Sequence, residues 1–325
     1  MKPLRGVGLI ELMVGLTLGL IVVLVASGVF IGSRQANSTT EALSRAQETA
    51  RNAFELMARD LREAGGTPCD NGLLVTNVLN NAQGATPTWW ADWATPLQGY
   101  DGSTAFPGII FGSGAGERVA GTSAVIGKYV ADLTDLTVVN HDPTNARFTL
   151  NNSPHRVRSG DLLMVCNYGQ GAVLQASAIG AGTFDHVDSA AASGNCSRGL
   201  GVPTLCTAIG TPYTFAPGSK VGRLVAAGWY IGNNGRPATG GTSLFRVTRN
   251  GAEEVAEGVS DMGLEFLSVG APAYTNAAAV TDWADVIAVR IALTLRSAQA
   301  GSSLQTGGRL ERPVSFTLQL RNRQP

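Results

Sequence analysis

The chain opens with MKPLRGVGLIELMVGLTLGLIVVLVASGVFIGSR, residues 1–34, and the reading of this stretch decides the rest. Lys2 and Arg5 precede an apolar run that carries no charge over residues 12–33 and ends at Arg34. An uncharged helix of that length spans the roughly 30 Å of bilayer hydrocarbon. Lys2, Arg5 and the α-amine place the N-terminus on the cytoplasmic side, so the bulk of the chain is expected outside the inner membrane. A signal peptide would have a shorter apolar core followed by a small-x-small cleavage site; here a helical pattern follows without a clear break. A plain anchor leaves Glu11 unexplained, because an ionisable group in an apolar span is costly and normally has a partner. Gly15, Gly19, Gly28 and Gly32 form two G-x-x-x-G spacings in the same stretch. They either admit close helix packing or loosen the helix by roughly 0.8–1 kcal/mol each relative to Ala.

Farther along, Leu43, Ala46, Ala50, Phe54, Met57, Leu61 and Ala64 recur at three- and four-residue spacing, which predicts an amphipathic helix to about Ala64. Glu41 with Arg45, Glu55 with Arg59, and Arg59 with Glu63 sit at ion-pairing spacing along it. Gly65, Gly66 and Pro68 end it. One helix over residues 7–64 would be about 85–90 Å long. Its first part, 7–33, would lie in a membrane or fibre core, and its second, 34–64, would pack an apolar face on a globular domain.

Residues 65–325 read as β. Strands are expected at 161–166 and 172–177 around a short turn, and again at 221–231 and 264–269. Ile287, Val289, Ile291, Leu293 and Leu295 alternate with smaller or polar residues, as do Val314, Phe316, Leu318 and Leu320. That period of two predicts strands with one buried face. Loops rich in Gly, Ser, Thr and Asn are expected near 80–121, 180–218 and 232–242. Trp89, Trp90 and Trp93 cluster in the first of these, where they either cap a core edge or mark an interaction surface. The fold class is therefore α+β: a long N-terminal helix, transmembrane in its first half, packed on a mainly antiparallel β domain.

Composition limits the function. Lys plus Arg equal Asp plus Glu at 24 each, so the basic footprint of a dedicated nucleic-acid binder is not indicated. No nucleophile elbow, P-loop or H-E-x-x-H occurs, and the Gly-rich run 112–116 lacks the full dinucleotide fingerprint and reads as a turn. Neither catalysis nor a cofactor is expected. The four cysteines, Cys69, Cys166, Cys196 and Cys206, contain no C-x-x-C pair, and only three histidines accompany them, which argues against a metal site. In an exported chain an even count predicts disulfides, with three pairings open; buried free thiols are the alternative. Cys196 and Cys206 share the loop 180–218, where a bridge would staple the insertion. Cys69 with Cys166 would then tie the helix end to a strand. Asn37-Ser-Thr, Asn151-Asn-Ser and Asn195-Cys-Ser match glycosylation sequons, which arise by chance as readily as by use.

Gly6 followed by Val7-Gly8-Leu9-Ile10-Glu11-Leu12-Met13-Val14 resembles the type IV prepilin signature. Val7 stands where Phe is usual, and Gly8 where Ser or Thr is usual. The stretch ARNAFELMARDLREAG at 50–65, followed by Cys69, resembles the corresponding segment of PilW-type minor pilins. So does the ending: a Trp283-containing turn, a long strand, a polar loop at 298–308, and the final Thr317-Leu318-Gln319-Leu320-Arg321-Asn322-Arg323. The resemblance covers both ends and is thin in the middle. It implies a leader, residues 1–6, removed by prepilin peptidase after Gly6, and N-methylation of the new terminus at Val7. It also implies that Glu11, as the fifth mature residue, pairs with the α-amine of a neighbouring subunit. Breaking such a pair in a low-dielectric site costs about 3–5 kcal/mol. The implied role is a minor pilin that leaves the membrane lipid and, with other minor and major pilins, primes or caps a type IV pilus (fimbrium). An inner-membrane assembly platform and a cytoplasmic ATPase would be supplied by other chains. Two relatives of this reading remain open: the J-type minor pseudopilin of a type II secretion system, and a ligand-binding pilin serving adhesion or DNA uptake.

Overall fold

Helix α1 runs Leu9–Arg62 in the computed structural model, which describes residues 8–70, 72–85, 87–191, 193–298 and 308–323. At 1.5 Å per residue it is about 80 Å long. It ends where the sequence brings the Gly65-Gly66 pair. Gly65 takes φ 81°, a left-handed value that glycine adopts without steric cost, and its amide donates to Lys128 O at 2.8 Å. Of the expected surface ion pairs, Glu41 with Arg45 forms. Glu55 instead pairs with Arg51 at 3.0 Å, and no ion pair joins Arg59 to Glu63 among the described residues. Such exposed pairs contribute only a few tenths of a kcal/mol, so the choice between a partner one turn back and one turn ahead is close to degenerate.

Two sheets follow. The strands are β1 (Val75–Asn77), β2 (Leu97–Tyr100), β3 (Ala124–Asp142), β4 (Arg147–Leu150), β5 (Leu162–Cys166), β6 (Gly171–Gln175), β7 (Ala178–Ile179), β8 (Thr183–Asp185), β9 (Lys220–Asn233), β10 (Thr242–Thr248), β11 (Gly251–Glu257), β12 (Val259–Ser268), β13 (Val286–Arg296) and β14 (Glu311–Gln319). The larger sheet is built on β3 and β9, antiparallel from Ala124↔Tyr230 to Asp132↔Gly222. The other edge of β9 is shared between β10 and β5. Only β1 with β6 runs parallel among the described strands. The smaller sheet is the antiparallel set β12-β13-β14. The expected strand pair 161–166 and 172–177 is the β5–β6 hairpin, 221–231 falls within β9, and 264–269 is the end of β12 and one residue beyond it. The segments expected as loops are not purely so, since 80–121 holds β2 and 180–218 holds β8.

The second half of α1 seats against both sheets. Ala50, Ala53, Met57, Ala58 and Leu61 are buried with Val125, Trp229 and Ile231 of the larger sheet and with Val289, Ile291, Leu293 and Leu318 of the smaller. Alanines on the helix and a glycine on the strand bring the backbones together. A Cβ at Gly127 of β3 would lie 3.2 Å from Asp60 O and 3.2 Å from Leu61 Cδ2. Gly127→Val is therefore expected to push the helix off β3 and destabilise by about 1–3 kcal/mol, as overpacking does. Denaturant midpoints of the two proteins would test this, and equal midpoints would mean that the approach is not needed.

Two disulfides brace the loops. Cys69 joins Cys166, fastening the segment after α1 to the end of β5. Cys196 joins Cys206 within the connection from β8 to β9. Trp90 and Trp93 pack half-buried at the edge of the core around Leu162, Met164 and Val173, and Trp89 packs beside Phe106 and Tyr230.

Candidate assembly surface

Residues 8–34 of α1 and its cap lie against no other described part of the chain. Residues 8–34 are exposed throughout, and this is the one helix among the described residues long and apolar enough to cross a membrane. At 1.5 Å per residue the bare portion reaches about 40 Å. Gly8 caps it with extended backbone and no side-chain bond, and Glu11 lies in its first turn, where the helix dipole favours an anion. Glu11 forms no hydrogen bond or ion pair with the described residues. A Cβ at Gly15, Gly19, Gly28 or Gly32 would meet nothing within 4 Å, so these four positions are open notches on the helix surface. Gly6 and Val7 lie outside the described residues. Chemically, this half offers an apolar rod with small-residue notches and a single carboxylate near its tip.

Beside the apolar seat, one buried carboxylate ties the second half of α1 to the larger sheet. Asp60, on the stripe between Met57 and Leu61, is 4% exposed. Its Oδ2 accepts from Trp229 Nε1 at 3.1 Å and from Arg246 Nε at 2.8 Å. Its Oδ1 accepts from Arg246 Nη2 at 3.3 Å and from the Tyr129 hydroxyl at 3.2 Å. The three donors come from β3, β9 and β10, three adjacent strands of the larger sheet. Burial, and then the Asp60 carboxylate, pushes the Tyr129 phenol up to about 12. Burial pulls Arg246 down, but its bonds to Asp60 and the carboxylate's charge outweigh this and hold it above its ordinary value. Sequence periodicity passed over Asp60, although the signal was present: a lone acid on the apolar stripe of an amphipathic helix must meet a donor.

Several other titratable groups are held by hydrogen bonds inside the domain. Lys128 is 3% exposed, and its Nζ donates to Asp92 O at 2.6 Å; burial lowers its pKa to about 8. The Arg118 guanidinium is fully buried and donates to the carbonyls of Asp101, Thr104 and Thr122. His141 and His186 meet through their Nε2 atoms at 3.1 Å inside the domain. Among the described residues no group of three or more His, Cys, Asp or Glu is placed to hold a metal ion. The Gly-rich run 112–116 is a bend in which Gly114 N donates to the Glu117 carboxylate at 2.7 Å. Asn195 is fully buried and exchanges hydrogen bonds with the Gln175 backbone, so the third sequon is closed in the folded chain.

No protein-family model matches the chain, and no curated protein matches it.

Proposed function

We propose that this chain is a minor pilin, held in the inner membrane by residues 7–33 and then drawn into a type IV pilus, where it helps prime or cap assembly. The observation that carries the reading is the bare apolar half of α1 with Glu11 in its first turn, directly behind the G-VGLIE signature of residues 6–11. In a bundle of such helices Glu11 is the one group able to meet the α-amine left at Val7 by cleavage after Gly6. The role is structural, not catalytic. Its partners are other minor and major pilins, with prepilin peptidase and the assembly platform acting on it.

Glu11→Ala is expected to be cleaved normally and to enter fibres poorly, measured by immunoblot of sheared fibres against whole cells. Normal incorporation of that variant would remove the pairing role. A clean deletion separates the machines: lost surface fibres with intact secretion supports the minor pilin. Intact fibres with blocked type II secretion replaces it with the J-type pseudopilin.

A further inference from the structure

Among the described residues strand β14 has one side without a partner strand, and the direction of its backbone can be read from its neighbours. Ser297 N donates to Leu310 O at 2.8 Å just before the strand, and Leu320 N donates to Ile287 O at 2.9 Å just after it. The register between β13 and β14 runs unbroken between these points, from Arg296↔Glu311 to Ala288↔Gln319. Backbone groups alternate sides along a strand, so the even-numbered residues bond inward to β13. Glu311, Ser315 and Thr317 therefore turn their amides and carbonyls to the open edge. Pro313 sits on the same outward set, where its missing N–H costs the ladder nothing. Among the described residues β14 pairs with β13 alone.

Beside this edge runs a groove of about 1120 Å³ between β14 and the flank of α1. Its apolar floor includes Phe54 stacked on Phe316, ring centroids 4.2 Å apart, together with Val314. Its rim is basic: Arg51, Arg59, Arg62, Arg312 and Arg321 face only Glu55 and Glu63. Arg51 is taken up by Glu55, and the other four arginines make no ion pair with the described residues. In a chain of zero formal net charge, this is a local excess. Arg51 lies 17 residues beyond Arg34, which places the rim upward of roughly 25 Å along the helix. With the helix upright in a bilayer, the rim stands clear of the lipid headgroups.

We propose that the groove receives an extended acidic segment of a partner protein, added to β14 as a fourth strand. Backbone pairing at Ser315 and Thr317 supplies the main-chain bonds, alternate apolar side chains fill the floor over Phe54 and Phe316, and Asp or Glu side chains meet the free arginines. Strand addition at an open edge combines affinity from the backbone with specificity from alternate side-chain pockets. A free edge favours this occupant over a nucleic acid, which has no use for strand amides. The inference does not depend on the fibre reading, because it concerns the edge and not the membrane helix.

The test uses the full chain in detergent micelles and a short fluorescent peptide alternating Val and Glu. Anisotropy is expected to show binding that weakens with added salt, and none for the Val–Lys counterpart. Thr317→Pro removes one outward amide without touching the ladder to β13, and is expected to weaken binding about tenfold with little change in thermal unfolding. Arg312→Glu is expected to do the same by charge, and it keeps the proposal falsifiable if the proline variant misfolds. Equal binding to wild type and both variants would overturn the proposal. So would tighter binding of a single-stranded oligonucleotide of matched charge, or self-association of the chain that blocks the peptide, since the occupant would then be a polyanion or a second copy.

Discussion

Asp60→Ala is expected to destabilise the domain by about 3–5 kcal/mol, the usual result of removing one partner of a buried ion pair. The loss has three parts. Among the described residues the Arg246 guanidinium keeps only Glu253, at 3.4 Å and well exposed, as its charge partner. The indole N–H of Trp229, a fully buried side chain, is left without an acceptor, and the Tyr129 hydroxyl loses its bond. Each stranded donor carries a desolvation penalty that solvent cannot relieve. Asp60→Asn retains an acceptor and should lose less. A double variant, Asp60→Leu with Arg246→Met, should recover much of the stability, because replacing both charges by apolar groups of similar volume removes the penalty along with the attraction. Denaturant unfolding of the full chain in detergent, followed by tryptophan fluorescence, measures all three. A loss below about 1 kcal/mol for Asp60→Ala would show that the carboxylate is a bystander. Asp60 ties α1 to three strands at once, so its loss loosens the seat of the helix on the larger sheet while leaving the exposed first half of the helix untouched.

The helix was legible because its signals are local. An uncharged run, a stripe repeating at three and four residues, and a Gly-Gly stop each declare themselves within a few turns. β13 and β14 were legible for the same reason, since Ile287 to Leu295 and Val314 to Leu320 alternate cleanly. β3 was not. Its period of two is interrupted by Gly127, which is present for the helix and not for the strand, and by the buried Lys128. It breaks again in the register shift between Asp132 and Thr137, where Asp135 takes φ 68°. β10 and β11 were hidden by charge: Arg246, Glu253 and Glu254 look like loop residues until Arg246 is seen to reach Asp60 and Glu253, and Glu254 to reach Arg236. Of the candidate surface, the exposed apolar rod and its single carboxylate at Glu11 could be read from the sequence as an acid at the head of an uncharged run. Asp60 and the open edge of β14 required the tertiary structure, because each is defined by what lies across from it, in strands far away in sequence.

Acidification from pH 7 to pH 5 is expected to destabilise the domain by about 4 kcal/mol through His141 and His186, roughly 2 kcal/mol each. The hydrogen-bond network fixes where their protons are. Phe215 N donates to His141 Nδ1 at 3.1 Å, so neutral His141 carries its hydrogen on Nε2 and donates it to His186 Nε2. His186 then holds its own hydrogen on Nδ1, which meets no well-placed acceptor among the described residues. A further proton must go to His141 Nδ1 or His186 Nε2, and each of these faces a donor, so either protonation breaks a bond. Burial lowers His141 to about 4, with Asp142 opposing weakly. Burial, and then His141, lowers His186 to about 3 against the smaller pulls of its own backbone carbonyl and of Asp185. Both carboxylates are engaged elsewhere, Asp142 by Asn145 and Asp185 by Arg147. Because the folded values lie below the unfolded value near 6.5, the unfolded chain takes up protons first. Stability is therefore full above about pH 6.5 and is lost as the pH falls toward 4. His186→Gln supplies a non-titrating acceptor to His141 Nε2, and its stability loss between pH 7 and pH 5 should shrink to roughly half that of the wild type. An identical pH profile for the two proteins would place the acid sensitivity elsewhere in the chain.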